Sequence, residues 1–330
     1  MATSPATNAN LVRGIISAQV WTEGIKECFF GKFTSESGDS IIHKKTDLTK
    51  EKGDNITIPL RHNLTGTWVT GDSTLEGSEE ALTFYDMKVT VNQARAGVLS
   101  AGKMSEQKYA MDVLAEMKTA LKDLWVNYLE DSHITALSTT ATTGEVIYAP
   151  LSTGTAVSTI ASVTADCKLT CAQISRARIV AKLHSPQLQP IRVNGKEYYV
   201  MFVHPNAAYN LKQDSTWLAA QQYAAERGDS NAIFTGMLGV YDGVVLHEFS
   251  RVKMTTDGAS SANVCHNLFC GKQAGVMAVA KPMFMKEKDS FDYYNQTGYA
   301  IGWIGAIQKS VFNSHDFGII KVITGGATVS

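Results

Sequence analysis

Catalysis or ligation needs side chains that hold a proton, bind a metal or attack a carbon, and this sequence offers few of them at useful spacings. His43, His62, His133, His184, His204, His247, His266 and His315 are scattered. None stands in an HExxH pair that would put two imidazoles on one helix face, and no GxSxG elbow presents a serine. His247 and Glu248 could exchange a proton, but at the end of a strand such a pair more simply faces solvent. Cys167 and Cys171, like Cys265, His266 and Cys270, resemble zinc half-sites. Neither pair has the two-residue spacing of a zinc knuckle, and the two lie in different segments. Glu76, Glu79 and Glu80 could act as paired general acids, yet they fall where nothing would desolvate them or part their pKa values. Gly236, Gly239 and Gly243 punctuate a turn with no Gly-Lys-Ser/Thr phosphate loop. No residue is therefore assigned to catalysis, to a cofactor or to a metal.

Composition narrows the classes further. The formal net charge is −1 and the pI about 6.7, so no overall basic field exists to hold nucleic acid through its phosphates. Charged residues make up 18% against 44% hydrophobic, few for a monomer that must stay dissolved alone, which leans towards surface buried by neighbours. Cys28, Cys167, Cys171, Cys265 and Cys270 are odd in number and dilute, and read as reduced thiols rather than a disulfide framework. The opening MATSPATNANLVRG lacks the layout of a signal peptide, and no apolar run is long enough to span a bilayer. The expectation is a protein made and kept in a cytoplasm, without a membrane partner.

The clearest element runs from Ser105 to Leu137. Ala110, Leu114, Met117, Leu121, Leu124 and Tyr128 recur at steps of three and four, widened by Val113, Ala120, Trp125 and Leu129, which predicts one amphipathic helix. Ser105 is placed to cap it and Glu106 to meet the positive end of its dipole. At about 1.5 Å per residue it would be roughly 40 Å long, a spine rather than an ordinary domain helix. Ahead of it, Ile56, Ile58 and Leu60 alternate over Asn55 to Arg61, and Met87, Val89 and Val91 alternate in a second strand. Pro59 confines this pair to an edge or an isolated ribbon. Between them lie roughly two dozen residues rich in Gly, Thr, Ser and acid, a connection too long to be idle in a compact domain. Leu64, Trp68, Val69 and Leu75 are set among them. Trp68 is the best anchor for a partner, since aromatic residues dominate interface hot spots. Glu79 and Glu80 are expected to meet basic residues of a neighbour.

Residues 1–15 read as a flexible arm. Trp21, Ile25, Phe29, Phe30 and Phe33 then follow at helical spacing and form an apolar face that wants a partner. Ile41-Ile42 is strand-like, and the charged run from Lys44 to Asp54 reads as a solvated linker. After the spine, residues 138–168 are almost wholly Ser, Thr, Ala, Val and Gly, suggesting a surface insertion, suited to exterior decoration, with short strands at Val146 to Tyr148 and Val157 to Val163. Leu169 to His184 predicts a helix capped by Thr170, with Ile174, Ala177, Ile179, Val180 and Leu183 on its apolar side. Asn194-Gly195 predicts a tight hairpin within Ile191 to Pro205. Pro205 opens a helix, and another is expected from Thr216 to Ala225. This alternation marks an α/β unit over about residues 171–280, with a strand at Val244 to Leu246 and another at Val276 to Ala280, ended by Lys281-Pro282. Tyr299 to Val322 predicts long paired strands folding back beside the spine.

Several of these stretches carry a resemblance. KTDLTKEKGD (Lys45 to Asp54), TGDSTLEGSEEALTFYD (Thr70 to Asp86) and GKMSEQ (Gly102 to Gln107) resemble tailed-phage major capsid proteins with the HK97-type fold. So do FTGMLGVYDGVVLHEFSRV (Phe234 to Val252) and TGYAIGWIGAIQKSVFNSHDFGIIKV (Thr297 to Val322). The likeness covers nearly the whole chain, is weakest at 138–170, and carries no catalytic signature. It implies an α+β fold with an N-terminal arm (1–45), an extended β-ribbon or E-loop (46–104), a spine-helix P-domain (105–170 and 281–330) and an axial α/β A-domain (171–280). It also implies a structural protomer, not an enzyme, that closes into pentamers and hexamers of an icosahedral head enclosing double-stranded DNA. Its partners would be other copies of itself, DNA held without sequence-specific contact, and portal, scaffold and decoration proteins. Assembly would take place in the host cytoplasm, and the finished protein would reside in the virion. On this basis Trp21, Phe29, Leu64, Trp68, Val69, Leu75, Glu79 and Glu80 are the candidate assembly residues. Some relatives weld subunits through a Lys–Asn isopeptide bond, but among Lys52, Lys88, Asn295 and Asn313 no spacing singles out a pair. The rival readings are an encapsulin-like compartment, which needs a cargo-docking groove, and a cytosolic enzyme using His247 or Cys265.

Overall fold

The computed structural model describes residues 28–49, 53–66, 68–108, 112–139, 146–185, 187–193, 195–222 and 236–327. Trp21 and the first part of the predicted arm lie outside the described residues. The aromatic run folds as a 3-10 turn, Phe29–Phe33, followed by β1 (Thr34–Ser35) and β2 (Ile42–Lys45). Phe30, Phe33, Ile41 and Ile42 are buried. Over these residues the apolar face finds its cover inside its own subunit.

β3 (Asn55–Arg61) and β4 (Phe84–Thr90) pair antiparallel from Asn55↔Thr90 to Arg61↔Phe84, the ribbon that the alternation predicts. β5 (Asn92–Leu99) was not expected, although Ala94, Ala96 and Val98 alternate along it as its half-buried face. Pairing along a longer strand, Asn92↔Gly305 to Leu99↔Gly298, creates it.

The single predicted spine is two helices, α1 (Lys103–Lys108) and α2 (Val113–Leu137). Ser105 lies inside α1, and the cap of the long helix is Asp112, whose carboxylate accepts the N–H groups of Leu114 at 3.0 Å and Ala115 at 3.2 Å. An aspartate there satisfies two orphan donors and also meets the positive end of the dipole. Asp112→Ala should cost about 1 kcal/mol, read as a lower urea midpoint with an unchanged m-value. The buried stripe of α2 is Met117, Leu121, Trp125, Leu129, His133 and Leu137. Leu124 and Tyr128, expected inside, are exposed.

α2 lies on a five-stranded sheet of order β1-β2-β13-β14-β5, built on the long hairpin of β13 (Gly275–Phe291) and β14 (Gln296–Lys309). β13 does not stop at Lys281-Pro282. Register shifts between Val279 and Lys281, and between Lys281 and Phe284, carry it past the proline, since a bulge tolerates a residue with no N–H to give. Alternation along β13 sorts the two faces of the sheet. Met277 and Val279 join Trp125, Leu129, Tyr299, Ile301 and Trp303 under the helix; the Trp125 and Trp303 rings meet edge-on at 5.6 Å. Val276 and Ala278 face the other way, onto Ile56, Met87 and Val89 of the ribbon.

A second sheet has eight strands. Its order is β6 (Val146–Tyr148), β17 (Ile319–Gly325), β12 (Val264–Cys270), β8 (Lys196–Val203), β10 (Val244–Glu248) and β9 (Gly239–Tyr241), with β7 (Ile191–Val193) on β8 and β11 (Met254–Thr255) on β12. A small hairpin of β15 (Val311–Phe312) and β16 (His315–Asp316) joins β14 to β17. Every residue of β12 and β17 is buried. Gly195 has φ 76°, and Asp242-Gly243 have φ 47° and 71°, positive angles that two-residue hairpin turns demand. The helices of this part are α3 (Cys171–Leu183), α4 (Pro205–Lys212) and α5 (Ser215–Gln222). Ile174 and Ala177 of α3 are buried, but Ile179 and Leu183 stand exposed. Thr170 makes no side-chain cap; Asp214 accepts the Cys171 N–H at 2.8 Å instead.

Two expectations are corrected here. In the stretch after the spine, Ala149, Val163 and Cys167 are buried with Val264 and Ile323, and Ile160–Ser162 is a 3-10 turn, not part of the strand expected over Val157 to Val163. The tail does not lie wholly beside the spine either. β14 does, whereas β17 inserts between β6 and β12 of the other sheet.

Candidate assembly surfaces

The root of the ribbon is fixed by its buried face, and its last ladder bond runs from the His62 N–H to the Thr83 carbonyl at 2.9 Å. Beyond that point the described residues form no strand. Glu80 staples the two limbs of the tip together, its carboxylate accepting the Thr65 N–H at 2.7 Å and the Gly66 N–H. Glu79 accepts from the Gly77 N–H at 2.7 Å. Both acids, expected to reach across to a neighbour, are thus engaged by their own loop. The apolar groups are not. Trp68 is 95% exposed, Leu64 and Leu75 are exposed, and Val69 is half-buried. At roughly 25 cal/mol per Å², covering a tryptophan alone would return on the order of 4 kcal/mol.

A second aromatic tip escaped the sequence reading. At the end of the β13–β14 hairpin, Asp292, Tyr293 and Tyr294 have φ of 46°, 50° and 68°, a left-handed run that is strained for non-glycine residues. It leaves Tyr293 98% exposed, with Tyr294 exposed beside it. The turn is braced: the Asn295 N–H donates to the Asp292 carbonyl at 2.9 Å, and the Lys103 N–H to the Asn295 carbonyl at 3.1 Å. The readable signal was Asp-Tyr-Tyr-Asn, two turn formers flanking aromatics with no strand face to occupy.

Phe29 is placed otherwise than expected. Its ring stacks on Phe249 at 4.4 Å and meets Phe30 and Phe202 edge-on, so it packs within one subunit. Arg251 locks that region to the spine, with Nε 3.2 Å from Glu130 and Nη1 2.6 Å from Asp131. Glu130 also accepts the Phe29 N–H at 3.0 Å. Arg251 thus ties the segment after β10 to the spine, and Glu130 ties the spine to the aromatic turn.

The candidate chemical residues are separated from one another. His247 does not face solvent: it is fully buried, 5.0 Å from the Phe33 ring, while Glu248 on the other face of the strand pairs with Lys212 at 3.1 Å. Burial pushes the Cys265 thiol up to about 12, so it is protonated where a nucleophile would need to be a thiolate. All five cysteines are free and buried. Among the described residues no three His, Cys, Asp or Glu side chains gather as metal ligands, and no helix is long and apolar enough to cross a membrane.

Comparison with known proteins agrees with this architecture. A family model of phage capsid proteins matches residues 14–329. The major capsid protein of Pseudomonas phage KPP25 is 28% identical over 97% of this chain and 96% of its own length. The capsid of Ralstonia phage GP4 superposes with a TM-score of 0.82 at 26% identity, covering 92% of this chain and 93% of that one. The acidic stable capsid structure of Helicobacter pylori bacteriophage KHP30 matches with a TM-score of 0.71 over 91% of both chains; at 13% identity this is a likeness of fold alone.

Proposed function

This chain belongs to the phage capsid protein family, a major capsid protein with the HK97-type fold and a component of the virion, and we propose that it closes into pentamers and hexamers of an icosahedral head around double-stranded DNA. The observation that carries this reading is the contrast at the ribbon tip: Glu79 and Glu80 are engaged by their own loop while Leu64, Trp68 and Leu75 stand in water. Such a surface is completed by an identical copy. In a closed assembly every interface repeats, so contacts of modest strength add up. Tyr293 and Tyr294 supply a second contact of the same kind, and Trp21 a third from the arm.

In this reading residues 1–45 are the arm, 46–104 the ribbon, 105–170 and 281–330 the peripheral domain, and 171–280 the axial domain, with β6 and β17 lending strands to the axial sheet. The protein works as a structural protomer rather than an enzyme. A net charge of −1 suits DNA that is held without sequence-specific contact and driven in through a portal. Scaffold and decoration proteins are the remaining partners. Electron microscopy of the purified protein tests the proposal. Closed shells or capsomers are expected; a monomer under every assembly condition, turning over a substrate, would reject it.

A further inference from the structure

The ladder of β3 and β4 ends at the bond from the His62 N–H to the Thr83 carbonyl, yet the chain beyond it is held by hydrogen bonds of its own. Both carboxylate oxygens of Glu80 reach the opposite limb: Oε2 accepts the Thr65 and Gly66 N–H groups, and Oε1 the Thr65 hydroxyl at 3.2 Å. Gly66 permits this approach. A Cβ at that position would stand 3.1 Å from Glu80 Oε2. Further out, Glu79 takes the Gly77 N–H at 2.7 Å and the Leu75 carbonyl takes the Ser78 N–H at 2.9 Å, in a turn where Gly77 has φ 90°. The backbone donors of Thr65, Gly66, Gly77 and Ser78 are thus spent inside the loop. Adding a strand to the edge of another sheet would need such donors free. Trp68 and Leu75, which lie in sequence between the two ends of the Glu80 contact, keep their side chains exposed.

We infer, resting on the proposed role of the tip as an assembly surface, that Glu80 is a positioning residue for assembly: it clasps the two limbs into a preformed loop that presents Trp68 and Leu75 to a second copy. Without the clasp the open loop runs from His62 to Thr83; with it, from Gly66 to Glu80. The shorter loop has less conformational freedom to lose when it docks. Hydrogen bonds to an ionised acceptor are the stronger kind, and three donors on one carboxylate fix how the limbs lie against each other. The clasp orders only an exposed loop, so its effect falls on association and not on the stability of the subunit.

Full-length Glu80→Ala, Glu80→Gln, Gly66→Val and the double variant Glu80→Ala with Gly66→Val test this. Light scattering over a range of protein concentrations reads assembly, and urea midpoints, expected to be unchanged, read the subunit. Glu80→Ala and Gly66→Val should each raise the concentration needed for assembly roughly three- to tenfold. The double variant should be no worse than the poorer single, because both substitutions remove the same clasp. Glu80→Gln keeps an acceptor oxygen and should fall between wild type and Glu80→Ala. Wild-type assembly by Glu80→Ala would overturn the proposal. So would wild-type assembly by Gly66→Val combined with equal losses in Glu80→Gln and Glu80→Ala, the pattern of a carboxylate that pairs directly with a neighbour's cation. If Gly66→Val does not fold, the two Glu80 variants decide, and equal losses in them count against the clasp. Removing Asn63 to Thr83 altogether separates the two readings: normal particles from that chain would reject the tip as a surface, whereas blocked assembly there with a harmless Glu80→Ala would reject the clasp alone.

Discussion

A subunit with Asn63 to Thr83 cut out, and the ribbon reclosed by a short glycine-containing turn, should fold normally and form no shells. Among the described residues between His62 and Thr83 no side chain is buried, while Ile56, Met87 and Val89 at the root keep their cover from Val276, Ala278 and Phe312. Stability should therefore change by no more than about 0.5 kcal/mol, the range of a surface change. Assembly loses everything the tip contributes. The milder variant, Trp68→Ser, isolates its main anchor. If covering the indole is worth on the order of 4 kcal/mol, the concentration needed for assembly should rise by roughly a hundredfold or more. Light scattering during assembly, with imaging of the products, reads both variants. Normal particles from the shortened chain would show that the ribbon is not an assembly element.

Between pH 6.5 and 4 the subunit should lose several kcal/mol of stability, because two histidines are buried in neutral form. His133 is 2% exposed, and its Nδ1 lies 2.6 Å from the Leu129 carbonyl, so that nitrogen carries the proton and donates. Its Nε2 is buried with no acceptor. Desolvation brings its pKa down to about 4, and desolvation with the nearby Lys253 and Lys321 does the same for His266. With folded values below the unfolded one, the unfolded chain binds more protons in this window, and stability falls as pH falls through it. At 1.36 kcal/mol per pKa unit each histidine accounts for about 3 kcal/mol by pH 4. The lowered carboxyl groups of Asp39, Asp166 and Asp257 act at still lower pH, below their ordinary 3.8, so the two effects separate. Urea midpoints measured at half-unit pH steps should drop below pH 6.5 in wild type and about half as steeply in His133→Asn, which keeps a donor for Leu129. Identical slopes would mean that His133 is not held neutral by the fold.

Tertiary context explains where reading the chain alone went astray. The ribbon, the hairpin at Gly195 and the body of the spine are written in alternation, turn chemistry and helical period, which act over a few residues and need no knowledge of the rest of the chain. The break at Asp112 was missed because a cap and a charged-face residue look alike until the helix start is known. β5 was missed because its strand is made by β14, some two hundred residues away in sequence. β13 runs through Pro282 because bulges against β14 absorb the missing donor.

The sequence by itself determined that this chain has a ribbon with a long tip rich in Gly, Thr, Ser and acid, and a long amphipathic helix. Only the tertiary structure decided which apolar groups stay uncovered. It took Phe29 into its own subunit, turned Glu80 back onto Thr65, left Tyr293 outside and set Lys321 against a helix end. Short-range conformational preference is a property of neighbouring residues, whereas burial and charge pairing depend on which distant segments meet, and that is settled only when the whole chain closes on its core.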